Sequence, residues 1–249
     1  MDHLIWRVEH FNEIDSTNSW LAEQARSDAP EGLVAYCDFQ SAGRGRLDRQ
    51  WHAPPRSSLL CSILFRPELS VDQLQLVVGA VALSIRAALV RLCGLRPGLK
   101  WPNDLVVGDQ KLAGLLAEVV ATSQGPAVVV GLGLNLTDSP HDVAATDVLS
   151  RTGITLSARG LLDIFLEELE WRYLQLRDDA GRGELRREYE GALVTIGQVV
   201  RVERAQGDAV GEARGVDEFG RLVVDVDGHE MVFSTGDVVH VRPQLGASS

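Results

Sequence analysis

The chain has 249 residues, 35 acidic against 24 basic, a net charge of −11 and 45% hydrophobic content. At this size about 70–75% of the unfolded surface is buried, enough for one large domain with or without a small appendage. The acidic balance argues against a general affinity for nucleic acid. No apolar run is read as reaching the ~20 residues that span a bilayer, and the N-terminus lacks a basic start followed by an apolar block, so a cytoplasmic protein is expected.

In chain order, Ser16 is a plausible N-cap for a helix over 18–26. Residues 32–39 and 58–65 read as strands, joined by a polar, Gly- and Arg-rich loop over 40–56. From 71 to 93, Leu74, Val77, Val78, Val81, Ile85, Leu89 and Leu92 recur at intervals of three and four, the stripe of a core-facing helix. Residues 105–107 and 111–120 flank Gly108-Asp109-Gln110 and predict a hairpin. Residues 127–136 form an apolar strand broken by Gly131 and Gly133, and Ser157 caps a long helix running to 176. The three cysteines, Cys37, Cys61 and Cys93, sit among apolar neighbours and read as free buried thiols.

Beyond Gly191 the pattern changes to five short β-rich runs separated by Gly and Asp turns, as in a small barrel. The division expected is 1–190 and 191–249. Strands and helices mix without strict βαβ alternation, so the fold class expected is α+β, with a mixed sheet and flanking helices.

Chemistry concentrates in three places. Gly43-Arg44-Gly45-Arg46 combines exposed backbone amides with forked donors suited to carboxylate or phosphate. Lys100-Trp101-Pro102-Asn103-Asp104 is a turn whose oxygens are also the kind that hold magnesium. Lys111 opens an apolar strand, and the short turn before it should return it close to Asn103 and Asp104. Residues 112–116 fit an apolar pocket wall, or simply a core strand.

The motifs Ser16-Thr17-Asn18, GRGR, KWPNDL, KLAGLLAE and GLGLN, in this order, resemble the catalytic domain of biotin–protein ligases. The likeness spans about residues 10–136, and the β-rich tail resembles the small SH3-like domain of that family. It implies the biotin–lipoate ligase fold, related to class II aminoacyl-tRNA synthetases. It implies formation of biotinyl-AMP from biotin and ATP, then transfer to a lysine of a biotin carboxyl carrier domain of a carboxylase.

By the same resemblance, Ser16, Thr17 and Gln40 face the ureido ring, and Asn18 shares the biotin site. Arg44, Gly45 and Arg46 belong to the loop over biotin's carboxylate and the phosphates, and Lys111 stands near that carboxylate and the α-phosphate. Arg46, Trp51, Asn103, Asp104 and Asn135 are placed near ATP, with Asp104 the candidate Mg²⁺ ligand. Lys111, Arg46 and Arg44 are the expected catalytic cations. A core role for Trp51 remains open.

Two departures stand out. The family's loop often reads GRGRxGRxW, whereas Asp48 occupies the position of the later glycine, which bears on loop flexibility and retention of the intermediate. The STN motif begins at Ser16, leaving no room for the helix-turn-helix domain that makes some members repressors, so no specific DNA binding is expected. The rivals are a lipoate–protein ligase or lipoyl transferase and, in another class, a non-catalytic nucleic-acid-binding module. Monomer and homodimer both remain open. A chain ending at Gly191 is expected to keep some biotin binding and lose much of its transfer activity.

Overall fold

The structure is a computed structural model that describes residues 5–47, 49–139, 144–203, 207–234 and 236–240. Strand β1 (Arg7–Phe11), helix α1 (Thr17–Arg26) and strand β2 (Leu33–Cys37) open the chain, with β1 and β2 parallel. Then come β3 (Ser58–Phe65), α2 (Leu74–Cys93), β4 (Gly98–Lys100), β5 (Asp104–Val107), β6 (Gln110–Thr122) and β7 (Gly125–Asn135). The sheet order is β1-β2-β3-β7-β6-β5-β4, and every pairing except β1–β2 is antiparallel. Three α-helices follow: α3 (Val148–Thr152), α4 (Ala158–Leu174) and α5 (Asp179–Ala192).

Period-two alternation gives the central strands two apolar faces. Leu64 of β3 and Val129 of β7 pack with Leu21 and Ala25 of α1, while Leu59, Ile63 and Phe65 of β3 face the other way, into the core with α2 and α4. Ser16 caps α1 as expected, its Oγ accepting from Ser19 N, and Ser157 caps α4 by accepting from Gly160 N. The hairpin at 108–109 forms, with Gly108 at φ +59.

Three sequence expectations need correction. Helix α2 is buried nearly all round rather than along one stripe, because it packs against both α4 and α5 as well as the sheet. The segment Val71–Cys93 is also long and apolar enough to cross a membrane, with a hydropathy of 2.0. Gln75, Ser84 and Arg86 interrupt the run letter by letter but only dilute that mean, and 67% of the stretch is buried inside the protein. Among the cysteines, Cys37 and Cys61 are buried, but Cys93, in the last turn of α2, is only half-buried. Helix α5 escaped the sequence reading because only Leu185, Tyr189 and Ala192 of its fourteen residues are buried.

The last five strands are β8 (Val199–Glu203), β9 (Ala209–Val216), β10 (Leu222–Val226), β11 (His229–Phe233) and β12 (Asp237–His240). They form an antiparallel sheet ordered β11-β10-β9-β8-β12. Val200, Val202, Ala213, Leu222 and Val224 belong to the same buried cluster as α2 and β3, so one core runs through both units. Trp101 is the joint: its Nε1 donates to Gly220 O at 3.1 Å and its backbone N to Thr195 Oγ1 at 3.0 Å.

This changes the expectation for a chain cut after Gly191. Trp101, 1% exposed in the whole protein, would lose its acceptor and its cover. The expected outcome is aggregation, read by size-exclusion chromatography and circular dichroism. A soluble, folded truncation would show instead that the main core closes without the small sheet.

Candidate active site

The site begins with three missing side chains. On the α1 face of the sheet, Gly114 of β6 pairs with Gly133 of β7, and Leu116 pairs with Gly131. A Cβ on Gly131 would lie 2.2 Å from Asn18 Oδ1, on Gly133 2.5 Å from Trp51 Cε2, and on Gly114 2.9 Å from Lys111 Nζ. The alternation in GLGLN therefore turns Leu132 and Leu134 into the core and clears a floor on which polar groups rest. Leu112 and Ala113 are in that core too, so of the predicted apolar wall only Gly114, Leu115 and Leu116 line the cleft.

One end of the floor is closed by the N-terminus of α1. Thr17 N donates to Gln40 Oε1 at 2.8 Å, and Thr17 Oγ1 lies 3.1 Å from the same oxygen and 2.7 Å from Ser62 Oγ. Ser62 Oγ donates to Asn18 Oδ1 at 2.6 Å, and Asn18 Nδ2 donates to Leu116 O and to Glu118 Oε2. Ser16, Thr17 and Asn18 are all buried, held both by the helix cap and by this network.

Cations line the same cleft. The loop after Gln40, predicted to lack regular structure, folds back on itself: Arg44 bridges Gln50, Gly45 N donates to Arg49 O, and Trp51 N donates to Gly43 O. This brings Arg44, Gly45, Arg46 and Trp51 to the same cleft as Ser16, Thr17, Asn18 and Gln40. Arg46 donates to Asn103 Oδ1 at 3.0 Å and to Gly236 O at 3.1 Å, joining the loop to the 101–103 turn and the small sheet. The turn lies between β4 and β5, with Lys100 paired to Asp104, and leads into the β5–β6 hairpin. Lys111 Nζ reaches Asp104 Oδ1 at 2.7 Å, as the spacing predicted, and lies 5.7 Å from the centre of the Trp51 ring.

Trp51 is thus a wall of the cleft and not a core side chain, and its buried Nε1 has no hydrogen-bond partner among the described residues. Asn135 is placed differently from the rest. It does not line the cleft; its Nδ2 donates to Thr146 O, bracing the 144–146 segment that pairs with Lys111. Asp48 lies outside the described residues.

The residues do not compose a resident magnesium site. Asp104 is committed to Lys111, Asn103 Oδ1 already accepts from Arg46, and no three His, Cys, Asp or Glu converge among the described residues. Cys61 borders the cleft, but burial pushes its thiol well above the usual range, so it offers no thiolate nucleophile. Sequence reasoning missed Ser62 and treated Glu118 only as the end of a motif. Their signal was parity: Ser62 pairs with the floor glycine Gly131, and Glu118 lies four strand residues from Gly114, on the same face.

A glycine-floored cleft lined by a helix N-terminus and by a cationic loop suits a ligand that carries both neutral polar groups and an anion. Residues 11–135 match the Biotin/lipoate A/B protein ligase family, and residues 195–241 match the Biotin protein ligase C terminal domain. The biotin--[acetyl-CoA-carboxylase] ligase of Mycobacterium tuberculosis is 39% identical over 246 residues, covering 95% of this chain and 90% of its own length. The bifunctional ligase/repressor BirA of Escherichia coli is 30% identical over 223 residues, 86% of this chain and 68% of that protein. Among solved structures, the Aquifex aeolicus biotin protein ligase in complex with biotin and ATP superposes with a TM-score of 0.81 at 25% identity, covering 94% of this chain and 98% of that one. The chain belongs to the biotin protein ligase family.

Proposed function

We propose that this protein is an ATP-dependent biotin–protein ligase, acting in the cytoplasm on a lysine of a biotin carboxyl carrier domain. The observation that carries the reading is one cleft lined both by Arg44, Arg46 and Lys111 and by the Thr17–Gln40–Ser62–Asn18 network. Biotin has one urea and one carboxylate, and the cleft offers neutral donors and acceptors for the first and cations for the second. The relatives named for biotin favour it over lipoate, and the net charge of −11 disfavours a nucleic-acid module.

In the first half-reaction a carboxylate oxygen of biotin attacks the α-phosphorus of ATP and pyrophosphate leaves. The barrier is electrostatic, since a carboxylate must meet a polyanion. Lys111 and Arg46 offset that repulsion and stabilise charge growing on the phosphoryl oxygens. Magnesium enters with the triphosphate, as part of the substrate. Asn103 holds Arg46 in place, and Trp51 Nε1 offers a donor to whatever fills the cleft beside it. In the second half-reaction the acceptor amine attacks the acyl carbon and AMP departs. The folded 43–51 loop meanwhile keeps water from the anhydride.

Calorimetric titration with biotin, alone and with Mg·ATP, followed by mass spectrometry for biotinyl-AMP, tests the reading. Tighter binding or turnover of lipoate in its place would refute it. Arg46→Ala is expected to release the intermediate, so that biotin appears on lysines of bystander proteins in a mass-spectrometric survey. A large fall in melting temperature without such leakage would mark Arg46 as only a strut between loop and small sheet.

A further inference from the structure

The hydrogen-bonded network in the cleft does not stop at Asn18. It continues to a carboxylate for which neither the resemblance nor the proposed reaction has a part. Asn18 Nδ2 donates to Glu118 Oε2 at 2.8 Å, while Arg44 grips both oxygens of the same carboxylate, at 3.2 and 2.7 Å. The Asn18 amide cannot be turned the other way, because both Nδ2 partners, Glu118 Oε2 and Leu116 O, only accept. Asn18 and Ser62 are 4% and 0% exposed, whereas the Arg44 side chain is 48% exposed. One end of the chain is therefore fixed in the protein interior and the other is a loop residue facing solvent.

The chain is also short of hydrogens. Thr17 and Ser62 have one hydroxyl hydrogen each, yet three contacts call on them: Thr17 with Gln40, Thr17 with Ser62, and Ser62 with Asn18. A ligand that engages Thr17 or Gln40 decides which way these hydroxyls point, and so whether Asn18 Oδ1 keeps its donor. Asn18 in turn holds Glu118. The fork to Glu118 uses one hydrogen on each terminal nitrogen of Arg44, leaving the second on each for an anionic ligand.

Resting on the reading of this cleft as a biotin site, we propose that Glu118 is a positioning residue that holds Arg44 against Asn18, coupling occupancy of the Thr17–Gln40 end to order in the 43–51 loop. It acts through Arg44 and does not touch the reacting atoms.

The test uses the full chain with Glu118→Gln. Without any substrate, hydrogen exchange at the loop amides is expected to quicken about three- to tenfold, with the β6 and β7 amides and the melting temperature unchanged. In ATP–pyrophosphate exchange the KM for biotin rises by about tenfold while the KM for ATP does not, the size of a typical coupling between sites. Glu118→Asp restores part of the biotin KM. In an Arg44→Ala background, Glu118→Gln adds nothing further, because the residue it acts through is gone. Unchanged loop exchange overturns the proposal. So does a parallel rise of both KM values with a lower melting temperature, or additive effects in the double variant. A loosened loop in a protein that binds no biotin would leave the positioning role standing and remove the assigned substrate.

Discussion

Lys111→Ala is expected to slow biotinyl-AMP formation by about 10²–10³-fold, the usual loss when a group aimed at developing charge is removed. The side chain is 39% exposed and, among the described residues, its ion pair is to Asp104 alone, so its removal changes stability little. Its effect on the site is larger, because two changes add. The ammonium that faces the phosphates disappears, and Asp104, whose buried Oδ1 has no hydrogen-bond donor beyond that ammonium among the described residues, is left as a negative charge where anions must bind. Asp104→Asn in the same background should recover part of the loss by removing that charge. The measurement is biotin-dependent ATP–pyrophosphate exchange, with the melting temperature as control. Exchange at the wild-type rate in Lys111→Ala would remove Lys111 from the reaction.

Gly131→Ala is expected to damage binding and stability together. Its Cβ would sit 2.2 Å from Asn18 Oδ1, and Asn18 cannot retreat without abandoning Leu116 O, Ser62 and Glu118. Overpacking at such a site costs about 1–3 kcal/mol, and a buried amide deprived of partners a similar amount. For a chain of this length that corresponds to a melting temperature lower by roughly 4–24 °C. Affinity for biotin should fall on the order of 100-fold, since the wall of the head-group pocket moves with Asn18. Gly191→Ala is the comparison: nothing beyond its chain neighbours and its own helix backbone lies within 4 Å of the added carbon, in the last turn of α5, so its melting temperature should stay or rise slightly. Calorimetric biotin titration of both variants decides the matter. A destabilised Gly131→Ala that binds biotin normally would place the site elsewhere.

These effects turn on features that differ in how far the sequence alone could show them. What the sequence determined by itself was local. Ser16 as a cap, the strand over 58–65, the hairpin at 108–109 and the five short strands after 198 follow from side-chain chemistry within a few residues of each position. The approach of Lys111 to Asp104 was legible for the same reason, since a two-residue turn leaves the two strands no other course.

Other features needed partners distant in the chain. Glu118 looks like an exposed strand residue until α1 brings Asn18 beside it, 100 positions away, and the loop brings Arg44, 74 positions away. The burial of α2 all round depends on α4 and α5, and no helical period announces a second and third covering layer. Asn135 lies close in sequence to the site glycines Gly131 and Gly133, yet the residue lies past the floor of the cleft, bracing the 144–146 segment. Trp101 shows the same limit from the other side. Its letters predict a turn, but its place as the joint between two sheets was decided by Gly220, 119 residues on, because a buried indole N–H must find an acceptor wherever the tertiary structure supplies one.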